Sequence, residues 1–292
     1  MKKSKNKKRL VSDIITVLII LVGAAFLGYP TFSEWWNSLT SSKVISNYDN
    51  KVSKIDSAEK DKMFSDAQAY NERLLKKEDR FHLDNKDEEE YKSLLNMDAD
   101  IIGVLDIPKI DINLPIYHGA SDSVLQAGIG HMPGTSLPVG GESTHCALLG
   151  HSGLPSAKLI TGLDEMENGD CFMLKVLGKT LTYEVDSICV VEPDDLKPLE
   201  IENGKDLCTV ITCTPYGVNT HRLMVRGHRI PNLSEDSLQR QRGGTDRFPM
   251  WIVLVGTAVI LVIIIIFIRK RIHITKQKKS KQQSNDKLND LP

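Results

Sequence analysis

The sequence predicts a mostly β domain, an antiparallel sandwich or barrel, placed between two long apolar segments. Short runs of aliphatic and β-branched residues, separated by Gly, Pro and Asp, recur from Ile101 to Ile230. Two apolar runs of 19 residues, Val11–Tyr29 and Met250–Ile268, lie outside this region. Because roughly 20 residues cross a bilayer core, two transmembrane helices are expected.

Charge is unevenly distributed, although the formal net charge of the 292 residues is only −1. Fourteen of the 37 Lys and Arg residues lie at positions 1–10 or after 268, which leaves 23 in the middle of the chain. The middle also contains 35 of the 38 acidic residues, so its formal net charge is 23 − 35 = −12. Lys and Arg favour the cytoplasmic side of a membrane, which predicts cytoplasmic basic tails at 1–10 and 269–292 and an extracellular middle. An acidic middle is a poor binder of nucleic acid.

The first apolar run also fits a cleaved signal peptide, because it has a basic start and an apolar middle. Ala24 and Ala25 supply small residues, but no clear A-x-A cleavage site follows. The run is longer than a usual signal core, which favours an uncleaved anchor.

Residues 30–100 are expected to form an extracellular segment with one helix and a charged loop. Residues 30–50 are polar and contain two Trp residues, as is typical of a connector close to a membrane. A capping-box pattern at Asp56 and Glu59, followed by apolar residues at helical spacing, predicts a helix from Ser57 to Leu75. Residues 76–91 are charged without periodicity, which indicates either a flexible linker or a loop that covers a site.

Residues 101–230 contain seven predicted strands and are followed by a polar tether at 231–249. Gly178 predicts a tight hairpin, and short helices are expected at 121–127 and 156–163. The predicted strands are 101–107, 112–117, 145–150, 171–177, 180–191, 207–213 and 223–229.

The five cysteines are an odd number, which leaves at least one thiol unpaired. No C-x-x-C or H-x-x-x-H spacing occurs, so no metal site is predicted. Three of the five lie in apolar runs, where the role of a small buried hydrophobic residue is favoured: Cys146, Cys171 and Cys189.

Cys213 is the strongest candidate for a nucleophile. It ends an alternating apolar run, and a Thr-Pro-Tyr-Gly turn leads into a second run that contains Arg222, Arg226 and Arg229. Nearby cationic groups favour the thiolate, which is the reactive form of cysteine. From the residues alone, a buried and unreactive thiol is the alternative.

A cysteine nucleophile needs a proton-transfer partner, and His151 is one candidate among several. It follows an apolar run and has glycines nearby on both sides, so it can be exposed and still be held rigidly. Sequence patterns do not reveal which strands are neighbours, so further histidines stay open as partners: His118, His131, His145, His221 and His228.

Two segments resemble the signature regions of sortases. They are GHSGLPSAKL at 150–159 and TCTPYGVNTHRLMVRGHR at 212–229, and residues 107–145 resemble the class C, pilus-assembling group of that family. The resemblance implies a sortase-like eight-stranded β-barrel with short helices at 101–230. An N-terminal helix would precede this barrel, and the two transmembrane helices would flank it.

The resemblance also implies catalytic residues and a reaction. His151, Cys213 and Arg222 match the family's active site, with Arg226 a less favoured candidate for the third role. The implied enzyme is a membrane-anchored cysteine transpeptidase of Gram-positive bacteria. It would cleave LPXTG-like sorting signals through a Cys thioester and transfer the acyl group to a pilin lysine, with no metal and no cofactor.

Expected partners are LPXTG-bearing pilins or surface proteins and the lipid membrane. Two alternatives stay open. One is a sortase that attaches surface proteins to peptidoglycan, and the other is an inactive membrane-tethered binding domain.

Class C sortases usually have a lid before the barrel, with an Asp-Pro-aromatic tripeptide over the active site. This chain has Asp79-Arg80-Phe81 in that region. Arg lacks the fixed φ of proline, so a more mobile loop is expected. A plain charged linker with one aromatic residue is the alternative.

Overall fold

The structure is a computed structural model that describes residues 2–97, 100–152 and 158–234, with separate positions between 253 and 275. The chain divides into two compact units, 1–32 with 246–292, and 33–245. The second unit contains the barrel and every candidate site residue.

The barrel has eight strands: β1 (Ile101–Ile107), β2 (Ile112–His118), β3 (Ile129–His131), β4 (Thr144–Leu149), β5 (Cys171–Val176), β6 (Lys179–Val191), β7 (Asp206–Thr214) and β8 (His221–Ile230). It closes in the order β1-β2-β3-β4-β7-β8-β6-β5. The predicted barrel with short helices is confirmed. The expectation of purely antiparallel pairing is wrong, because β2 pairs with β3, and β4 with β7, in parallel.

All seven predicted strands are found, with ends shifted by at most two residues. The eighth, β3, has three residues, which is too short for an alternating pattern to show in the sequence. The predicted hairpin joins β5 to β6 through Leu177 and Gly178, which have φ values of 49° and 81°. Positive φ at both positions is what a two-residue hairpin turn of type I′ requires.

Within the continuous described ranges, four α-helices precede or connect the barrel strands: α1 (Lys2–Lys54), α2 (Ser57–Leu75), α3 (Asn85–Ser93) and α4 (Asp122–Ala127). The prediction of α2 is confirmed, and its Asp56 carboxylate accepts a hydrogen bond from the Glu59 N–H at 2.7 Å. Helix α3 lies where no periodicity was recognised, and Asp84 caps it. The predicted helix at 156–163 falls partly outside the described residues.

Residues 30–50, expected to be a connector close to a membrane, lie within α1. The C-terminal part of α1 packs on the barrel, where Tyr48 and Val52 are buried in the main core. The Tyr48 hydroxyl accepts a hydrogen bond from the Leu177 N–H at 2.9 Å, next to the β5–β6 turn. These contacts stabilise the helical conformation in the C-terminal part of α1, where the polar sequence alone gives little indication of a helix.

Within the described part of the chain, no helix is both long enough and apolar enough to cross a membrane. The apolar run at 11–29 lies within α1, and only separate positions of 250–268 are described. The tether from 235 to 249 lies outside the described residues. The two expected transmembrane helices are therefore not supported.

Helix α2 is joined to the barrel by a buried polar contact as well as by apolar packing. The Asn71 side chain is only 2% exposed. Its Oδ1 accepts from the Leu137 N–H at 2.8 Å, and its Nδ2 donates to the Leu137 carbonyl at 3.1 Å. Asn71 therefore satisfies both backbone groups of a residue in the loop before β4.

We expect Asn71→Ala to lower the free energy of unfolding by about 2–5 kcal/mol, because it leaves two buried backbone groups without partners. Urea unfolding followed by circular dichroism measures this loss. The exposed neighbour Glu72 provides the control, since Glu72→Ala should change stability by only about 0.5 kcal/mol or less. Equal effects of the two substitutions would contradict a structural role for Asn71.

Candidate active site

Cys213 lies one residue before the end of β7, and its side chain is half-buried. Along β7, Cys208 and Val210 belong to the main core, whereas Ile211 belongs to a second apolar cluster. Since side chains alternate along a strand, Cys213 shares the outer face of the barrel with Ile211. The thiol is thus placed at a strand end on a face that a substrate can reach.

His151 is brought beside Cys213 by the parallel pairing of β4 with β7. The register places Leu149 opposite Ile211, and the Gly150 N–H extends the ladder by donating to the Ile211 carbonyl at 3.1 Å. Two residues further along this register, His151 is set beside Cys213. His151 is half-buried and lies two residues after the end of β4.

Arg222 lies on the other side of Cys213, because β7 and β8 pair antiparallel with these two residues directly opposite each other. The Arg222 guanidinium donates to the carbonyls of Asn219 at 3.3 Å and His221 at 3.1 Å. His151, Cys213 and Arg222 therefore form one row across β7, β8 and the segment that continues β4. Paired residues point to the same side of a sheet, so the row shares the outer face.

Arg226 shares that face but is engaged elsewhere. Its guanidinium donates to Asp186 at 2.9 Å and to Glu202 at 2.8 Å. Burial acts to lower the pKa of Arg226, but the two carboxylates outweigh it and raise the pKa. Two ion pairs hold this side chain away from the row, so Arg222 is the arginine left beside Cys213.

The other candidate histidines occupy structural positions. His131 and His145 are fully buried, and His118 is 7% exposed. His145 bonds the Glu200 carbonyl and the Thr209 hydroxyl, and burial lowers its pKa to about 4. His221 and His228 pair with Glu192 and Asp186, respectively.

An apolar surface adjoins the row, and we call it the outer cluster. Leu149, Ile211 and Met224 belong to it, and each lies two positions from a row residue on the same strand or its extension. Sequence reasoning missed this surface. Its signal was that the apolar runs of β4 and β7 contain residues of both faces. The members are Phe81, Met132, Ala147, Leu149, Cys189, Val191, Leu196, Leu199, Ile211 and Met224.

The segment at 79–81 lies against this surface. Phe81 packs on the outer cluster, and the Arg80 guanidinium lies 4.3 Å from the centre of its ring. Arg80 donates to the carbonyls of Gly134 at 3.0 Å and Leu199 at 2.7 Å, contacts that a proline could not make. Asp79 is exposed and pairs with His82 at 2.8 Å.

Gly134 is the point where the backbone of this segment approaches the barrel most closely. It has a φ of +83°, and a Cβ built there would lie 2.2 Å from the Arg80 carbonyl oxygen. Only glycine fits such a position, both for its conformation and for its space.

In the described part of the chain, no three His, Cys, Asp or Glu side chains are grouped as a metal site needs.

The different environments of the two arginines predict different effects on stability. Arg226→Ala removes two partly buried ion pairs, with Asp186 and with Glu202, and should lower the free energy of unfolding by about 1–2 kcal/mol. Arg222→Ala should change it by about 0.5 kcal/mol or less, because Arg222 contacts only two nearby carbonyls. Thermal and urea unfolding of both variants measure the difference, and a reversed order would contradict this division of roles.

Comparison with known proteins gives a consistent family. The family model of the sortase domain matches residues 105–230. Sortase C1 from Streptococcus agalactiae is 46% identical, with a TM-score of 0.63 over 65% of this chain and 100% of that chain. A sortase C from Streptococcus pneumoniae, described with insights into pilin substrate specificity, is 45% identical. Its TM-score is 0.59, over 66% of this chain and 98% of that chain.

A third similar structure is a Clostridium perfringens sortase C, solved with a C-terminal cell wall sorting motif. It is 39% identical, with a TM-score of 0.58 over 65% of this chain and 100% of that chain. Together with the family model and the barrel topology, these matches show that this chain belongs to the sortase family of cysteine transpeptidases, in its class C.

Proposed function

We propose that this chain cleaves LPXTG-like sorting signals through a thioester on Cys213 and transfers the acyl group to a pilin lysine. The observation that carries the proposal is the row of His151, Cys213 and Arg222 on one face of β7, β8 and the segment that continues β4. A nucleophile with a possible proton carrier on one side and a cation on the other suits acyl transfer.

In the first half of the reaction, the Cys213 thiolate attacks the carbonyl carbon of the signal's Thr residue. The bond between Thr and Gly breaks, and His151 donates a proton to the departing amine. Arg222 stabilises the negative charge that develops on the carbonyl oxygen, because its guanidinium is a fixed cation beside the thiol. The product is a thioester between Cys213 and the shortened protein.

In the second half, a lysine amine attacks the thioester carbonyl. His151 accepts a proton from the amine, the carbon–sulfur bond breaks, and an isopeptide bond replaces it. Support for a pilin as acceptor comes from the similarity to sortase C proteins, one of which is described in terms of pilin substrate specificity. Attachment to peptidoglycan instead would require a different acceptor amine, which the test below separates.

The outer cluster gives the sorting signal an apolar surface next to the row. We assign the segment at 79–81 the role of a lid, because Phe81 packs on this same surface. Arg80 holds the lid through its two carbonyl contacts. Substrate and lid would therefore compete for the outer cluster.

The roles in the row predict distinct kinetic losses. With the full chain, an LPXTG peptide and a pilin, Cys213→Ala should abolish both the thioester and the cross-link. His151→Ala should lower kcat/KM by about 10²–10⁴-fold, and Arg222→Ala by about 10²–10³-fold. Mass spectrometry detects the acyl-enzyme and the acceptor residue.

Cys171→Ala is the matched control, because Cys171 is a buried cysteine of β5 outside the row and the outer cluster, and this variant should retain activity. A thioester that persists in Cys213→Ala would disprove the assigned nucleophile. A cross-link to a peptidoglycan stem amine in preference to a pilin lysine would favour wall attachment, and the absence of any acyl-enzyme would favour a binding domain.

Release of the lid should raise activity. Arg80→Ala removes both contacts with the barrel, so a larger fraction of molecules has an open site, and kcat/KM for a short LPXTG peptide should rise several-fold to about tenfold. Lys76→Ala, an exposed substitution in the same loop, serves as control and should leave the rate unchanged. A lower rate for Arg80→Ala at unchanged Tm would mean that the segment positions the substrate instead of covering the site.

A further inference from the structure

Two cysteines outside the row lie opposite each other inside the barrel. Cys146 on β4 and Cys208 on β7 are directly paired in the parallel register. Their exposed fractions are 3% and 0%, and both belong to the main core. The proposed transpeptidation uses neither of them.

The geometry of this pair suits a disulfide. Neighbouring strands lie about 4.8 Å apart, which falls within the Cα separation of about 4.4–6.8 Å that disulfides span. Paired residues on adjacent strands point to the same side, so the two thiols approach each other in the core. Both cysteines are free thiols here.

A third group, His131, distinguishes the two thiols. Burial holds the pKa of Cys208 well above its usual range. Burial acts in the same direction on Cys146, but the neighbouring Cys208 thiol and His131 ring outweigh it and lower the pKa of that thiol. The His131 ring is itself fixed by the Ser136 carbonyl at 2.9 Å and the Tyr91 hydroxyl at 2.9 Å.

We propose that Cys146 and Cys208 are a redox-active pair whose disulfide fastens β4 to β7. The oxidant is a small hydroperoxide, such as hydrogen peroxide, which is close to water in size. The Cys146 thiolate attacks one peroxide oxygen, the O–O bond breaks, and the hydroxide released takes up a proton to give water. Cys208 sulfur then displaces the second hydroxyl from the Cys146 sulfenic acid, and its thiol proton leaves with that hydroxyl as a second water.

The disulfide would act on the strands that carry the row. His151 and Cys213 each lie five residues beyond Cys146 and Cys208 on the same two segments, in the same register. Covalent closure of the long loop between positions 146 and 208 restricts the unfolded chain and stabilises the fold. The oxidised protein should therefore keep β4 and β7 together at temperatures where the reduced protein separates them.

The test uses the full chain with Cys213→Ala, so that peroxide cannot oxidise the proposed nucleophile. After peroxide treatment, proteolysis and mass spectrometry without reductant should find peptides with Cys146 and Cys208 linked, with the loss of two hydrogens. Tm should rise by roughly 5–10 °C and fall back after dithiothreitol. Adding Cys208→Ala should abolish the link and the shift, whereas adding Cys171→Ala, another buried thiol, should preserve both.

Three results would overturn the proposal. One is complete alkylation of both thiols after unfolding of the treated protein. Another is linkage of either thiol to Cys171 or Cys189. The third is a disulfide between Cys146 and Cys208 that leaves Tm unchanged or lowers it. Because Cys213 is absent throughout, these outcomes are independent of whether the proposed transpeptidation is correct.

Discussion

The parallel pairing of β4 with β7 is the constraint on which the site depends. Asp206 fixes the start of the ladder, because it accepts hydrogen bonds from the Gly141 N–H at 3.0 Å and the Tyr183 hydroxyl at 2.9 Å. The Thr212 hydroxyl fixes the other end by donating to the Gly150 carbonyl at 2.9 Å. A shift of one residue would turn every side chain of a strand to the opposite face and would separate the row.

Strands β4 and β7 must bury both of their faces. One face fills the barrel, and the other supports the outer cluster, onto which the segment at 79–81 and the loop at 196–199 fold. This explains why β4 and β7 are nearly continuous apolar runs instead of alternating ones. The reactive residues His151 and Cys213 lie where these apolar runs end.

The sequence allowed the strands and α2 to be predicted because their signals are local. Apolar runs bounded by turn residues, the Asp56 cap and the Gly178 turn each act within a few positions. The parallel pairs could not be predicted, since alternation shows which face a residue occupies but not which strand lies beside it. The same limit left His151 among several histidines until the resemblance to sortases selected it. The structure then adds a physical reason to prefer Arg222, namely the two carboxylates that hold Arg226.

The replacement of proline by Arg80 changes how a lid in the proposed role is held. Proline would restrict the loop through its fixed φ, whereas Arg80 contributes two charge-assisted hydrogen bonds and a cation–ring contact. Each such hydrogen bond is worth about 1.5–3 kcal/mol before the entropy of ordering a half-exposed side chain is subtracted. The net free energy that holds the segment is smaller than roughly 8 kcal/mol, which is the binding free energy of a ligand of micromolar affinity. In the proposed role, a sorting signal that occupies the outer cluster can therefore displace the segment at 79–81 by its own binding energy.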